Sequence, residues 1–421
     1  MSRRTAMVGV LIAMFFLSYF YRTSPAVIAP YLSREFSLGA ERLGLLSSIF
    51  FTVFAAVQIP LGPALDFIGP RRVISILGAV GALGSLIFAL APSYDLCLLG
   101  RGLNGLGMSC MYMGTLTIVA NWYPPRSFAT VTGIVASLGN MGALSATLPL
   151  ALLAGSMGWR GSFLLFAAIN FVLAILVWII VRDRPSTSTP HFVPPSRKFT
   201  PGQAFRAVLG SSYFWAIAIL SFFSGGSFLA IQGLWGGPFL MDVFGLTPVG
   251  TGSILSSIAI GYIIGCPLIG MISDRIVASR KKLASIVLSI YLLTLLLFCT
   301  ILQPGRSFLL LPVYFSLGFF ASGSVLLLAQ LKELFPGQIV GTALTCNNLF
   351  SIGGAGILQY VMGWIIERHP PVGRVYPIEA YREAFLLILA GLSVSFILYL
   401  RTPEPHPKNV SARHIVEGSD G

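Results

Sequence analysis

The sequence predicts an all-α integral membrane protein whose twelve transmembrane helices form two pseudo-symmetric six-helix bundles. Three observations carry that prediction. Of the 421 residues, 55% are hydrophobic and only 10% charged, against about 25% charged in ordinary soluble domains. The apolar residues gather into twelve runs, each long enough for a helix to cross a bilayer, which takes about 20 residues. The second six runs also echo the first six.

The spans lie at 7–31, 43–64, 73–92, 96–119, 128–153, 161–181, 212–240, 250–272, 283–302, 308–330, 340–366 and 384–400. Arg3 and Arg4 ahead of the first run imitate a secretory signal. The run has no A-x-A-like cleavage site and continues past Arg22, so it reads as the first span. Between the sixth and seventh spans, "RDRPSTSTPHFVPPSRKFTPGQ" (Arg182 to Gln203) is rich in Pro, Ser and Thr without apolar periodicity, the mark of a linker. The expected organisation is a first bundle at 1–181, a linker at 182–211, a second bundle at 212–401 and a tail at 402–421.

Placing the N-terminus in the cytoplasm leaves 18 Lys/Arg on cytoplasmic segments, 7 on external ones and 2 within spans, while the acidic residues divide seven and seven. That bias is the positive-inside pattern, and it puts both termini on the cytoplasmic side; a plasma (inner) membrane is the expected location. It also accounts for the net charge of +13 as topology signals, which excludes a nucleic-acid partner. Cys97, Cys110, Cys266, Cys299 and Cys346 lie singly in apolar runs, with no C-x-x-C and no metal-ligand spacing. They read as small buried hydrophobes, and no metal or other cofactor is expected.

A shift of 208 residues places "PYLSREFSLGAERLG" (Pro30 to Gly44) on "PFLMDVFGLTPVGTG" (Pro238 to Gly252), and Gly62 and Asp66 on Gly270 and Asp274. Further along, "WYPPRSFATVTG" (Trp122 to Gly133) echoes "LFPGQIVGTALT" (Leu334 to Thr345), and "WRGSFLLFAA" (Trp159 to Ala168) matches "YREAFLLILA" (Tyr381 to Ala390). Four matches in one order indicate duplicated six-span units. Parallel repeats of this kind enclose a central site near the membrane midplane that rocking exposes to each side in turn.

Within the spans the only Asp, Glu, Lys or Arg residues are Arg22 and Arg101, and none of the four histidines lies in a span. A mid-span arginine costs about 3 kcal/mol on insertion scales, so it normally faces a wet cavity or a partner. No span acid is present to be that partner. At the 208 offset Arg22 falls on Ala230, so the arginine is not needed merely to build a six-span unit. It reads as a site for a mobile anion, with Tyr19 on the same helical face to bond or stack on the ligand. Opposite, "AIQGLWGGPF" (Ala230 to Phe239) offers Gln232 and Trp235 three apart, followed by a Gly236-Gly237-Pro238 run that should loosen the helix. Tyr112, Tyr314, Asn347 and Asn348 are lesser candidates, each equally readable as a helix contact. Gly102, Gly105 and Gly107, Gly139 and Gly142, and Gly353, Gly354 and Gly356 read as close helix packing.

The loop "GPALDFIGPRR" (Gly62 to Arg72) resembles the G-x-x-x-D-x-x-G-R-[RK] loop of the major facilitator superfamily, and "GMISDRIVASRKK" (Gly270 to Lys282) resembles its degenerate second copy. "RGLNGLG" (Arg101 to Gly107) is similar to that family's R-x-x-x-G-x-G signature in span four. The resemblance covers about residues 5–402. It implies a gate at Asp66, Arg71, Arg72, Asp274 and Arg280, with Asp66 capping a helix or pairing with Arg71 or a base across the bundles. It also makes an arginine at 101 common among transporters of many substrates, leaving structure, proton coupling and substrate contact open for Arg101. Here Pro70 precedes Arg71, and the second loop is longer and lacks the central Gly. "YFYR" followed by "APYL" resembles the organic-anion branches, although Tyr21 stands where those often carry an acid.

These features describe a secondary or facilitative transporter of a small solute with an anionic or zwitterionic group, such as a carboxylate, amino acid or short peptide. Its working unit is expected to be a monomer in the lipid bilayer, with proton coupling an open possibility. The competing expectations are a drug or metabolite exporter of the same superfamily, a membrane-embedded enzyme, and a transport-dead sensor. No Ser/His/Asp set or carboxylate pair lies at membrane depth to support an enzyme.

Overall fold

The computed structural model describes residues 3–123, 125–184, 201–275, 279–336 and 339–402, and the described residues are almost wholly helical. The first crossing is two helices, α1 (Arg3–Thr23) and α2 (Pro25–Glu35). The break falls where Pro25 removes a backbone N–H and restricts the residue before it. The next crossings are α3 (Ala40–Phe67) and α4 (Pro70–Leu90), then a second broken one, α5 (Tyr94–Met108) and α6 (Met111–Trp122). The fifth crossing runs through α7 (Pro125–Ser145) into the start of α8 (Leu148–Ile180); Gly158, at φ 76°, turns the chain there and the rest of α8 is the sixth. A left-handed φ is cheap for glycine alone, so this turn has the residue it needs.

The linker ends in a short helix, α9 (Pro201–Leu209), which the Pro-rich composition did not suggest; residues 185–200 lie outside the described residues. The second half repeats the irregularities of the first. Its first crossing, α10 (Ser212–Ala230) and α11 (Gly236–Phe244), is joined by a π-helical turn at Ile231–Trp235. At the 208 offset Ser24, where the first span breaks, falls on Gln232 inside that turn. The loosening expected after Trp235 therefore occurs, one turn early. α12 (Pro248–Arg275) and α13 (Arg280–Thr300) come next, then a broken crossing, α14 (Leu310–Ala321) and α15 (Ser324–Leu334), and finally α16 (Val340–Glu367) and α17 (Ile378–Arg401). Both fourth-position breaks are closed by a serine bonding back one turn: Ser109 to the Leu106 carbonyl at 2.7 Å and Ser322 to that of Phe319 at 2.6 Å. Eleven described helices are long and apolar enough to cross a membrane, and a shorter apolar helix covers 131–145.

Several glycines let helix backbones touch, as membrane helix packing favours. A Cβ on Gly105 would overlap the Phe50 carbonyl, and one on Gly142 the Phe16 carbonyl. Gly102 makes only ordinary contacts and Gly353 faces open space, so those two are not packing glycines.

An even number of crossings puts both described ends of the chain, Arg3 and Thr402, on one face, here the terminal face; the opposite one is the distal face. On the distal side the halves meet. A Cβ on Gly237 would overlap the Ala26 carbonyl, Thr147 and Ser256 share a 2.7 Å hydrogen bond, and α3 and α16 touch from Gly44 at Gln359 to Thr52 at Gly356. Further towards the terminal face a Cβ on Gly62 of α3, or on Gly353 of α16, would meet nothing within 4 Å. Phe67 at the end of α3 is 86% exposed. Among the described residues, these contacts between the halves gather at the distal side.

Candidate functional site

Arg22 sits at the level where the halves begin to touch. Its carbonyl approaches the π-turn at Gly233, while Tyr19, one turn nearer the terminal face, is only half-buried. The guanidinium is held by rings. Its carbon lies 4.8 Å from the Tyr19 centroid and 4.6 Å from that of Phe54 on α3. Such contacts hold a cation without neutralising it, since the ring quadrupole supplies no counter-charge. Tyr262 of the second half, stacked on Phe228 at 4.9 Å, is close enough to act on the Arg22 charge. Arg22 Nε is buried without a hydrogen-bond partner among the described residues, and no described ion pair includes it. The side chain is 7% exposed, so the charge is desolvated and uncompensated.

The other sequence-derived candidates divide. Tyr112 joins the site through Phe15, which stacks on it at 4.8 Å and meets Tyr19 edge-on at 5.1 Å. Gln232 is buried in the π-turn, and Asn347 carries a buried Oδ1 without a partner among the described residues. Trp235 belongs to the closed distal side: its Nε1 donates to the Gln359 carbonyl at 2.9 Å. It also floors a distal vestibule of about 670 Å³. Tyr314 is fully buried and donates to the Gly236 carbonyl at 3.2 Å, which braces the broken seventh span. Arg101 is 1% exposed; its Nη1 donates to the Tyr21 carbonyl at 2.9 Å, and Phe50 lies 4.9 Å beneath it.

At the terminal face Arg71 binds its own half. Its N–H donates to Asp183 at 2.7 Å, and its Nε to the Trp178 carbonyl at 2.9 Å. Arg72 is exposed, and Arg280 pairs with Glu333 at 2.5 Å. The side chains of Asp66 and Asp274 lie outside the described residues.

Sequence reasoning missed Phe54, Tyr262 and Gln359. Phe54 is one apolar residue in an apolar run and carried no signal. Gln359 did carry one, being an amide within a span, as Gln232 is. In the structure it is fully buried and donates from Nε2 to the Leu229 carbonyl at 3.1 Å.

The family model described as Major Facilitator Superfamily matches residues 11–324 and 236–416. The probable sulfoacetate transporter SauU of Cupriavidus necator is 24% identical over 98% of both chains. A probable hexose phosphate transport protein of Chlamydia pneumoniae is 22% identical over 94% of this chain and 90% of its own. Among solved structures, a bacterial homologue of the human lysosomal transporter Spinster, in an inward-facing and unoccupied conformation, superposes with a TM-score of 0.76. It has 20% identity and covers 94% of this chain and 96% of its own.

Proposed function

The chain belongs to the Major Facilitator Superfamily, and on that premise we propose that it carries a small organic anion across the bilayer by alternating access, with Arg22 receiving the anionic group. One observation carries this reading: a desolvated guanidinium, held by Tyr19 and Phe54 instead of an acid, at the level where the two halves begin to touch. A buried charge without a partner is costly, and a substrate carboxylate, sulfonate or phosphate offsets that cost while it is bound. The names of the two relatives agree in kind, since sulfoacetate and hexose phosphates are organic anions. By the positive-inside bias the terminal face is the cytoplasmic one, so the distal contacts between the halves close the outer side. With no span acid beside Arg22 to carry a proton, exchange or facilitated diffusion is the simplest cycle.

The test is uptake into proteoliposomes of a panel of carboxylates, sulfonates, sugar phosphates, amino acids and dipeptides, with and without a pH gradient. Arg22→Ala should abolish uptake of the transported anion, and Arg22→Lys should retain part of it. Uptake that survives Arg22→Ala with unchanged KM and rate would refute the reading.

A further inference from the structure

At the distal face, helix α3 begins without a cap of its own. Gly39 precedes it with extended backbone and no side chain, so the first N–H groups of the helix have no local acceptor. The acceptors come from the other half. Glu367, the last residue of α16, accepts from the Glu41 N–H at 3.2 Å through Oε2, and the Tyr376 hydroxyl accepts from the Ala40 N–H at 3.1 Å. Tyr376 donates to the same Glu367 oxygen at 2.8 Å. Burial pushes its phenol up to about 12, so it remains a donor near neutral pH. Asp242 orders this arm by accepting from the Tyr376 N–H at 3.2 Å and the Tyr381 hydroxyl at 2.6 Å. A second tie crosses the halves where Tyr360 donates to Glu41 at 2.8 Å.

We propose that Glu367 is the latch of the distal gate: its carboxylate caps α3 across the two halves, stabilises the distal-closed state and must let go before the molecule opens on that side. The helix N-terminus carries about half a positive charge, so a carboxylate there is attracted as well as hydrogen-bonded. Gly39 is the residue that lets the carboxylate in. A Cβ at that position would overlap both Glu367 oxygens, whereas the Gly39 backbone, at φ −77° and ψ 178°, suits any residue. Gly39→Ala should therefore displace the carboxylate without straining the chain. Nothing in the latch touches Arg22.

The proposal rests on the alternating-access reading but is tested without substrate, so its failure is separable from failure of the anion assignment. Nitroxides placed at Ser156→Cys and Ser307→Cys, exposed on the distal ends of the two halves, report the distal separation by pulsed electron spectroscopy in a Cys266→Ser background. Glu367→Gln, which keeps the shape and loses the charge, and Gly39→Ala, which keeps the charge and blocks its seat, should each at least double the long-distance population. Glu379→Gln, an exposed acid in the first turn of α17, should leave the distribution as in the parent. If either latch variant, eluting as a folded monodisperse protein, keeps the parent's distribution, the latch is wrong.

Discussion

Arg101 donates to the carbonyl of Tyr21 at 2.9 Å, and that carbonyl is available because the residue four further on is Pro25. In an unbroken helix the N–H of residue 25 would bond it, and proline has none. In a bilayer an unpaired backbone carbonyl costs several kcal/mol. The Ser24 hydroxyl also donates to this carbonyl, at 3.4 Å, and Arg101 supplies the shorter, charged bond, so the two together repair the break that gives the first span its two parts. Its cation also rests on Phe50, and no acid partners it among the described residues. Of the roles open for this residue from sequence, the structural one has a visible partner.

The repair predicts coupling between two distant positions. Arg101→Leu should lower the stability of the solubilised protein by about 1.5–3 kcal/mol, the usual worth of a hydrogen bond from a charged group, with Ser24 left as the carbonyl's remaining donor. Pro25→Ala restores an N–H to the helix, so it should recover part of that loss when combined with Arg101→Leu. Thermal unfolding of the two single variants and the double variant measures the coupling; additive losses would contradict it.

The Arg22 site predicts a role for a residue with no polar atom. Phe54→Leu removes one of the two rings that hold the guanidinium. Cation–π contacts are worth about 0.5–2 kcal/mol, so KM for the transported anion should rise a few-fold to about thirtyfold. Phe54→Tyr should stay close to the parent. The same uptake assay reads both variants.

Two glycines that both touch a carbonyl should behave differently. Gly142 meets Phe16 within the first half, so Gly142→Ala should cost about 1–3 kcal/mol of stability as overpacking. Gly237 meets Ala26 across the halves on the distal side, so opening that side should part them. Gly237→Ala should leave the unfolding temperature nearly unchanged. It should move the distal spin-label distances towards the open population and slow transport.

The seventh span has its own brace. Gln359 receives the Trp235 indole N–H at its carbonyl and donates its amide to Leu229, so it grips the π-turn at both ends. Gln359→Leu should destabilise the protein by about 1–3 kcal/mol. Gln359→Glu keeps the acceptor, loses the donor and adds a buried charge, and should be worse. Thermal unfolding ranks the two.

Much of the architecture was legible in the order of residues. The Gly236-Gly237-Pro238 run announced a loosened seventh span, whereas the first span reads as one continuous run in the sequence and only the structure shows its break at Pro25. The repeat singled out Arg22, because its counterpart is alanine. Phe54 was invisible, since nothing distinguishes one phenylalanine from its neighbours until a helix presents it to a cation. Glu367 looked like an ordinary charge ending a span, and only its approach to Gly39, more than 300 positions away, makes it a gate.

The chain alone therefore settled the features dictated by local chemistry and solvent. Apolar length makes the spans, and a Gly-Gly-Pro run loosens the seventh of them. The absence of any span acid leaves Arg22 without a fixed counter-ion. Which groups meet across the two bundles needed the folded molecule. Arg101 with Tyr21, Arg22 with Phe54 and Glu367 with α3 each depend on how helices distant in sequence cross, and a crossing is set by side-chain packing over many turns at once.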